Sequence, residues 1–297
     1  STIALVLSRH GLSQKRKRKI GGHRVRLEHL TEPTRSNEVW TVDFKGWFTL
    51  KDGQRCDPLT VCDRYSRYII CCHGCANQQF KGTLRVFKKL MRHHGLPEII
   101  RVDNGAPFAS MALGGLSKLS VWWIEQGIRV EFMTPASPQE NGSHERMHRD
   151  LKAEATKPPS KNLAAQKKRL ERWRYEYNND RPHESLDMLR PAEIYRKSAR
   201  RLGERYKMRY PEGYKVVRLS ESGNFSHEGS NFYMSEIFAG RTVGLCKNDQ
   251  GITELHYANL HLGNLEFNCT DPYRTNSLII KPDQAPSVSE PIKNKAK

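Results

Sequence analysis

Between Val39 and Asn178 the chain switches between a two-residue and a helical hydrophobic period in an order that few folds accept. VWTVDFKGWFTL reads as a strand with Asp43 in its middle, Lys51-Asp52-Gly53 as a hairpin turn, and CDPLTVCDRYSRYIICCHG as two further strands. Gln78 to His94 has the helical period: Phe80, Leu84, Phe87 and Met91 make one stripe, while Lys81, Arg85, Lys88, Lys89 and Arg92 crowd the polar side. Gly95-Leu96-Pro97 ends it. EIIRVDNG is a short buried strand stopping at Asp103, Leu113 to Gly127 a helix, and IRVEFMTP another strand. Two helices follow, one opening at Ser137-Pro138 and running to about Ala155, the other over Asn162 to Asn178 with Leu163, Leu170, Trp173 and Tyr177 on its stripe. The order is three strands, helix, strand, helix, strand, helix, helix. It predicts an α/β fold, a mixed sheet with helices on both faces.

Three acids stand out in that frame. Aspartate is depleted in strands and costly to bury without a partner, so Asp43 inside Trp-Thr-Val-Asp-Phe needs a reason. Asp103 ends a second buried strand just before Asn104-Gly105, where a turn exposes it. Glu145 lies one turn into a helix. The three converge if the two strands are neighbours and the helix packs across their ends. Converged carboxylates repel, and they stay anionic with divalent cations between them; hard oxygen donors with open positions suit Mg²⁺. A pair of such ions about 3.5–4 Å apart serves in-line displacement at phosphorus, a reaction that depends mainly on positioning and charge. His148, Arg149 and Lys152 follow Glu145 on the same helix face, where cations suit a phosphate backbone.

The charge balance agrees. Fifty Lys and Arg against 32 Asp and Glu leave a net charge of +18 on 297 residues. Such an excess destabilises a compact chain by self-repulsion, so it points to a polyanionic partner, nucleic acid ahead of an acidic membrane surface. No apolar run approaches the roughly 18–20 residues that span a bilayer. Seven cysteines at irregular spacing indicate reduced thiols in the cytoplasm. Lys15 to Arg26 holds seven Lys or Arg and no acid; Lys15, Arg16, Lys17, Arg18 and Lys19 are candidates for tracking phosphates. Ser1 to Gly11 reads as a short helix, and the absence of a signal-peptide pattern with Ser1 in front suggests a cut from a longer chain.

Rival readings exist for several of these residues. Ser137-x-x-Glu140 is a capping box, which gives Glu140 a structural task and leaves Glu145 as the third acid. Asp63 competes with Asp43 as the first acid, but it ends a strand beside Arg64 and Arg67 and is expected to pair there. His144-Glu145-Arg146-Met147-His148 spells HExxH, the helical pattern of zinc peptidases, yet that reading leaves Asp43 and Asp103 unexplained. Otherwise His144 is expected on the surface and His148 facing DNA. Cys71, Cys72, His73 and Cys75 sit in an apolar strand whose side chains alternate between faces, so buried thiols are expected there and not a metal site. Gln139 and Asn141 flank the helix start and are candidates for contacts with terminal bases. Trp173 and Tyr177 are expected in the core.

From Tyr214 to Phe267 short alternating runs are separated by Ser-Gly, Glu-Gly, Ala-Gly and Leu-Gly turns, which predicts a small antiparallel β-barrel. Pro272 to Lys297 has four prolines and little apolar content, and reads as disordered.

WTVDFKG, CDRYSRYI, RVDNGAPF, SPQENGSHERMHRDLK and YNNDRPHESLDMLRPAEIY, in that order, resemble the integrase catalytic core of bacterial DDE insertion-sequence transposases, relatives of retroviral integrases. The resemblance covers about Asn37 to Tyr195, and the segment from Tyr214 also resembles the C-terminal barrel of one branch of these enzymes. It implies a ribonuclease H-like fold, two Mg²⁺ or Mn²⁺ ions per site, and cleavage of transposon ends followed by joining of the 3′-OH to target DNA. By motif, the triad carries over to Asp43, Asp103 and Glu145. Asp103 and Glu145 lie 42 residues apart, longer than the shortest family pattern, with the extra length around Ser110 to Ser120. The implied organisation is a helix-turn-helix remnant and basic linker over 1–35, the core over 36–198, a linker over 199–213, a barrel over 214–268 and a disordered tail over 269–297. The implied partners are double-stranded DNA at both element ends and target, and further copies of the chain in a dimer or larger assembly. The implied setting is the bacterial cytoplasm, at the nucleoid, with no membrane partner. A domesticated DNA-binding relative without recombination activity is the main alternative, and a zinc peptidase the remote one.

Overall fold

Strand β1 (Val39–Phe44) lies inside a six-stranded mixed sheet. The computed structural model describes residues 30–110, 112–133, 142–203, 206, 208–265 and 276–277. β1 pairs antiparallel with β3 (Arg55–Asp63), and β3 pairs antiparallel with β4 (Ile69–Cys75) and with the two-residue β2 (Phe48–Thr49). On its other side β1 runs parallel to β5 (Ile99–Val102), which runs parallel to β6 (Arg129–Phe132). The stretch expected as one strand from Val39 to Leu50 is thus β1 and β2, separated at Gly46, whose φ of 90° favours glycine.

Parallel neighbours need crossovers, and helices supply them. α1 (Phe80–His94) joins β4 to β5, and α2 (Lys118–Glu125) joins β5 to β6. α2 is shorter than the expected Leu113 to Gly127. Gly114 and Gly115 take φ of 68° and 74° and turn the chain, and Ser117 then caps the helix by accepting from the Leu119 and Ser120 amides at 3.2 Å each. α3 (Gly142–Ala155) and α4 (Leu163–Asn179) follow, then the one-turn α5 (Pro191–Ile194). The cap expected at Ser137 lies outside the described residues.

The alternation of β1, β3 and β4 feeds two apolar layers. Trp40, Val42, Leu59, Val61 and Cys71 pack with Phe87 and Met91 of α1 and Leu119 and Trp123 of α2. Cys62, Ile69 and Cys72 turn the other way, onto Met147 and Leu151 of α3 and Leu170, Trp173 and Tyr177 of α4. Each fully buried large apolar side chain of this kind contributes about 1.5–3 kcal/mol. Cys71 and Cys72 therefore lie in different layers, as expected of successive strand residues, and burial pushes the Cys71 thiol up to about 12, which keeps it protonated.

After α5 the chain returns to the core. Arg200 donates to the carbonyls of Pro97 and Gly127 at 2.7 Å each, and a Cβ at Gly95 would lie 2.5 Å from the Ser198 carbonyl oxygen, so only glycine admits this approach. Among the described residues the C-terminal strands, expected as one small antiparallel barrel, make two sheets. β7 (Lys215–Arg218), β10 (Thr242–Lys247), β11 (Thr253–Tyr257) and β12 (Leu260–Asn264) make an antiparallel sheet in the order β12-β11-β10-β7. β8 (Asn224–His227) and β9 (Ser230–Tyr233) form a hairpin, with β13 (Asn276–Ser277) added parallel to β9. Phe225 and Phe232 from the hairpin, with Val243, Leu245, Leu255 and Leu262 from the larger sheet, join the same apolar cluster as α2, so both sheets bury a face without closing edge to edge. Arg241 fastens this region to α2 through Glu125 at 2.7 Å. No helix among the described residues is long and apolar enough to cross a membrane.

Candidate active site

The parallel register of β1 and β5 pairs Val42 with Val102. Asp43 and Asp103 are the next residues along each strand, so they stand side by side on neighbouring chains whose spacing is about 4.8 Å. On the opposite flank, β3 places Thr60 directly across from Asp43. α3 lies over this face of β1 and β3: His144, Met147, His148 and Leu151 point inward and are buried, while Glu145, in the first turn, is exposed.

The Asp43 carboxyl senses the other two acids. The Asp43 carboxyl is pushed up to about 7, first by burial, then by the charge of Asp103, with a smaller push from Glu145; the Phe44 amide and Lys45 act the other way. Asp103 accepts from the Gly105 amide at 3.1 Å, and a Cβ at Gly105 would lie 2.9 Å from Asp103 Oδ2, which explains why Asp-Asn-Gly ends this strand. Asn104 reaches across to the Met133 carbonyl at 2.6 Å and fixes the turn after Asp103.

Thr60 is the hub behind Asp43. Its hydroxyl donates to the Asp43 carbonyl at 3.0 Å and lies 2.8 Å from His144 Nε2 and 2.7 Å from His148 Nε2. A hydroxyl has one proton and two lone pairs, so with the proton committed both imidazoles donate their Nε2–H to Thr60. Thr41 Oγ1 then donates to His144 Nδ1 at 2.8 Å. The same accounting turns the lone pair of His148 Nδ1 toward Asp43 Oδ2, 3.6 Å away. Burial holds both histidines neutral, pulling His144 down to about 3 and His148 to about 2, with His144 and Lys45 adding to the effect at His148.

These positions correct the sequence expectation for the two histidines. His148, expected to face DNA, is 6% exposed, and His144, expected on the surface, 3%. They are four residues apart on the inner face of α3, with Met147 and Leu151, so the sheet and not solvent receives them. Arg149 and Lys152 are exposed on α3. Among the described residues Asp43, His144 and His148 bring their ligand atoms within 4.8 Å of one another. Threonine hydroxyls engage three of the four ring nitrogens, however, and Glu145 points away from the pair, so the HExxH segment does not present the two-histidine ligand set of a zinc peptidase. Lys15, Arg16, Lys17, Arg18, Lys19, Gln139, Glu140 and Asn141 lie outside the described residues.

Asp63 is buried. It accepts from the Asn37 amide at 2.6 Å and from the Ser66 amide and hydroxyl at 2.9 and 2.6 Å, which closes the turn after β3, and the charge of Arg67 also favours its anion. Sequence reasoning missed Thr41 and Thr60, which look like ordinary β-branched strand residues. It also missed the buried ion pair of Arg101 with Glu131, 2.8 Å apart on paired positions of β5 and β6. Only strand register reveals either group.

Two profiles, both described as integrase core domain, match residues 33–138 and 126–191, a span that contains all three acids. The chain belongs to the integrase core family. Two of its curated relatives are insertion-element proteins. An insertion element IS407 uncharacterized 31.7 kDa protein from Burkholderia multivorans is 29% identical over 62% of this chain and 64% of its own length. An insertion element IS476 uncharacterized 39.2 kDa protein from Xanthomonas euvesicatoria is 27% identical over 61% of this chain. The chain thus spans less than two thirds of either relative, 64% of the first and 49% of the second. The Pro-Pol polyprotein of simian foamy virus type 1 is 39% identical over 62 residues, 21% of this chain and 5% of that one. Among solved structures, the HTLV-2 integrase catalytic core domain in complex with magnesium covers 56% of this chain and 100% of its own at a TM-score of 0.44 and 15% identity. The chain thus carries an integrase core domain and is similar in sequence to insertion-element proteins.

Proposed function

We propose that this integrase core cuts DNA at transposon ends and joins the freed 3′-OH to target DNA, with Asp43, Asp103 and Glu145 as the catalytic acids. The observation that carries the reading is the strained charge at Asp43, whose carboxyl is held near 7 by burial and by the other two acids. Such a group gains from a cation more than from anything else on the chain, and an all-oxygen donor set selects a hard one. Two Mg²⁺ or Mn²⁺ ions held by these acids would supply the positive charge that phosphoryl transfer requires.

The chain's own residues do the rest. β1 and β5 fix the spacing of the two aspartates through backbone pairing, so the donors cannot drift apart as the reaction proceeds. Thr60 holds the Asp43 backbone carbonyl and anchors the His144 and His148 imidazoles behind it, and Gly105 leaves room beside Asp103. Arg149 and Lys152 follow Glu145 along the exposed side of α3, where they meet phosphates next to the cleaved bond. Lys15 to Lys19, Gln139 and Asn141 complete the proposed DNA contacts. Joining two ends to one target needs two active sites, so a dimer or larger assembly on double-stranded DNA is the working form, in the cytoplasm at the nucleoid.

The test is strand transfer. A labelled oligonucleotide with the element's end and an exposed 3′-OH is mixed with plasmid and Mg²⁺ or Mn²⁺. Joined products are expected, and chelation should abolish them. DNA binding that persists without joining under any metal would replace this reading with that of a domesticated DNA-binding relative.

A further inference from the structure

A second group of chemistry-bearing side chains lies on the C-terminal four-stranded sheet and plays no part in the proposed reaction. Strand register assembles it. Cys246 pairs with Glu254 and Gly244 with His256 across β10 and β11, and His256 pairs with His261 across β11 and β12. Residues two apart on a strand share a face, so Cys246, Glu254 and His256 lie together, with His261 beside them. Val243, Leu245, Leu255 and Tyr257 alternate onto the other face and are buried in the core.

The distances suit a cation. Glu254 Oε2 is 3.0 Å from His256 Nε2 and 4.0 Å from Cys246 Sγ, and the three ligand atoms lie within 4.8 Å of one another. A tetrahedral zinc site with bonds of about 2.0–2.3 Å has ligand-to-ligand edges of about 3.3–3.5 Å, so side-chain shifts on the order of an ångström convert one arrangement into the other. The thiol's contact with Glu254 is weak, because S–H is a poor donor and 4.0 Å is long, while Tyr214 hydrogen-bonds the sulfur in a way a thiolate ligand would keep.

The surroundings resemble the outer shell of a metal site. Asn248 donates to Glu254 Oε1 at 3.1 Å and orients the carboxylate. His261 Nε2 lies 3.1 Å from Asn264 Oδ1; donation there leaves Nδ1 free to ligate, and the His256 and His261 ring centres are 5.1 Å apart. Tyr214 stands edge-on to His256 at 5.2 Å, and Tyr210 lies so close over Gly244 that a Cβ there would come within 2.4 Å of its ring. A cavity of about 640 Å³ lined by Tyr214, Cys246, Lys247 and Thr253 opens on the Cys246 side of the group.

We propose that Cys246, Glu254 and His256, with His261 as fourth ligand, bind a zinc-class transition-metal cation that ties β10, β11 and β12 together. Thiolate and imidazole donors disfavour Mg²⁺, so this site and the acid site take different metals from the same solution.

The tag-free full chain, stripped with a chelator and titrated with Co²⁺, tests this. With excess Mg²⁺ present to occupy the acid site, the expected result is one equivalent of cobalt bound with the intense visible bands of tetrahedral cobalt and a thiolate-to-cobalt charge-transfer band. Cys246→Ser should remove the charge-transfer band, and Glu254→Gln or His256→Asn should weaken cobalt binding at least about tenfold. His148→Gln, on α3, should leave both spectrum and affinity unchanged. Zn²⁺ should also raise the melting temperature of the wild type and not that of Cys246→Ser. Octahedral cobalt without a charge-transfer band, bands unchanged in Cys246→Ser, bands lost in His148→Gln, or wild-type melting indifferent to Zn²⁺ would each overturn the proposal.

Discussion

The acid cluster on the central sheet and the Cys246 cluster on the C-terminal sheet are built by one device, side chains sharing a face across paired strands, but they end in opposite electrostatic states. At the first, parallel strand ends bring Asp43 beside Asp103, and the chain leaves the charge unrelieved: burial and two like charges push the Asp43 carboxyl up to about 7. At the second, antiparallel strands bring Glu254 beside His256 and Asn248, which largely satisfy it. The difference separates a centre that must gain charge from outside from one that is nearly complete. Only the first is poised for chemistry on a phosphate.

The largest effect expected from breaking this contrast is on joining. Asp43→Asn or Asp103→Asn should lower strand transfer by about 10²–10³-fold or more, the scale of losing a principal charge-stabilising group, whereas Cys246→Ser should leave it at the wild-type level. Equal losses from both would erase the distinction. Next comes the support behind Asp43. Thr60→Val leaves two buried imidazole donors without an acceptor, at about 1–3 kcal/mol for each, so melting temperature and joining should both fall. Thr60→Ser keeps the hydroxyl and should restore most of each.

A smaller effect follows from the raised carboxyl. The unfolded chain loses the Asp43 proton near pH 4, the metal-free folded chain near pH 7. Between those values the folded state holds a proton that the unfolded state has lost, so stability falls as pH rises through the window and stays low above it. Metal-free Asp43→Asn should therefore melt above the wild type at pH 8, by about 2–4 °C for each kcal/mol relieved, and the two should converge toward pH 4. A variant that melts below the wild type at pH 8 would mean that Asp43 is not under this strain. Smallest of all, Arg149→Ala and Lys152→Ala should each weaken DNA binding uniformly across sequences and flatten its salt dependence by about one counterion.

The contrast also marks what a sequence reveals. Strand and helix order, the aspartates at a mid-strand and a strand-end position, and the glutamate one turn into a helix were legible, because hydrophobic period and misplaced charge are local signals. The glycines before α2 were visible too, but their positive φ was not, so that helix was drawn too long. His148 was misread because helix spacing says which residues share a face and not which face the sheet covers. Thr60 and the alignment of Cys246, Glu254, His256 and His261 depend on register between strands, information that no single segment carries. The C-terminal turns predicted short strands correctly, while their division into two sheets arises from where the apolar faces pack.

The central claim is that Glu145, and no neighbouring acid, completes the site of Asp43 and Asp103. Strand transfer by Glu145→Gln beside Glu140→Gln, at equal DNA binding, addresses it directly. Joining by Glu140→Gln with none by Glu145→Gln is the expected result. Joining by Glu145→Gln would contradict the assignment of the third acid.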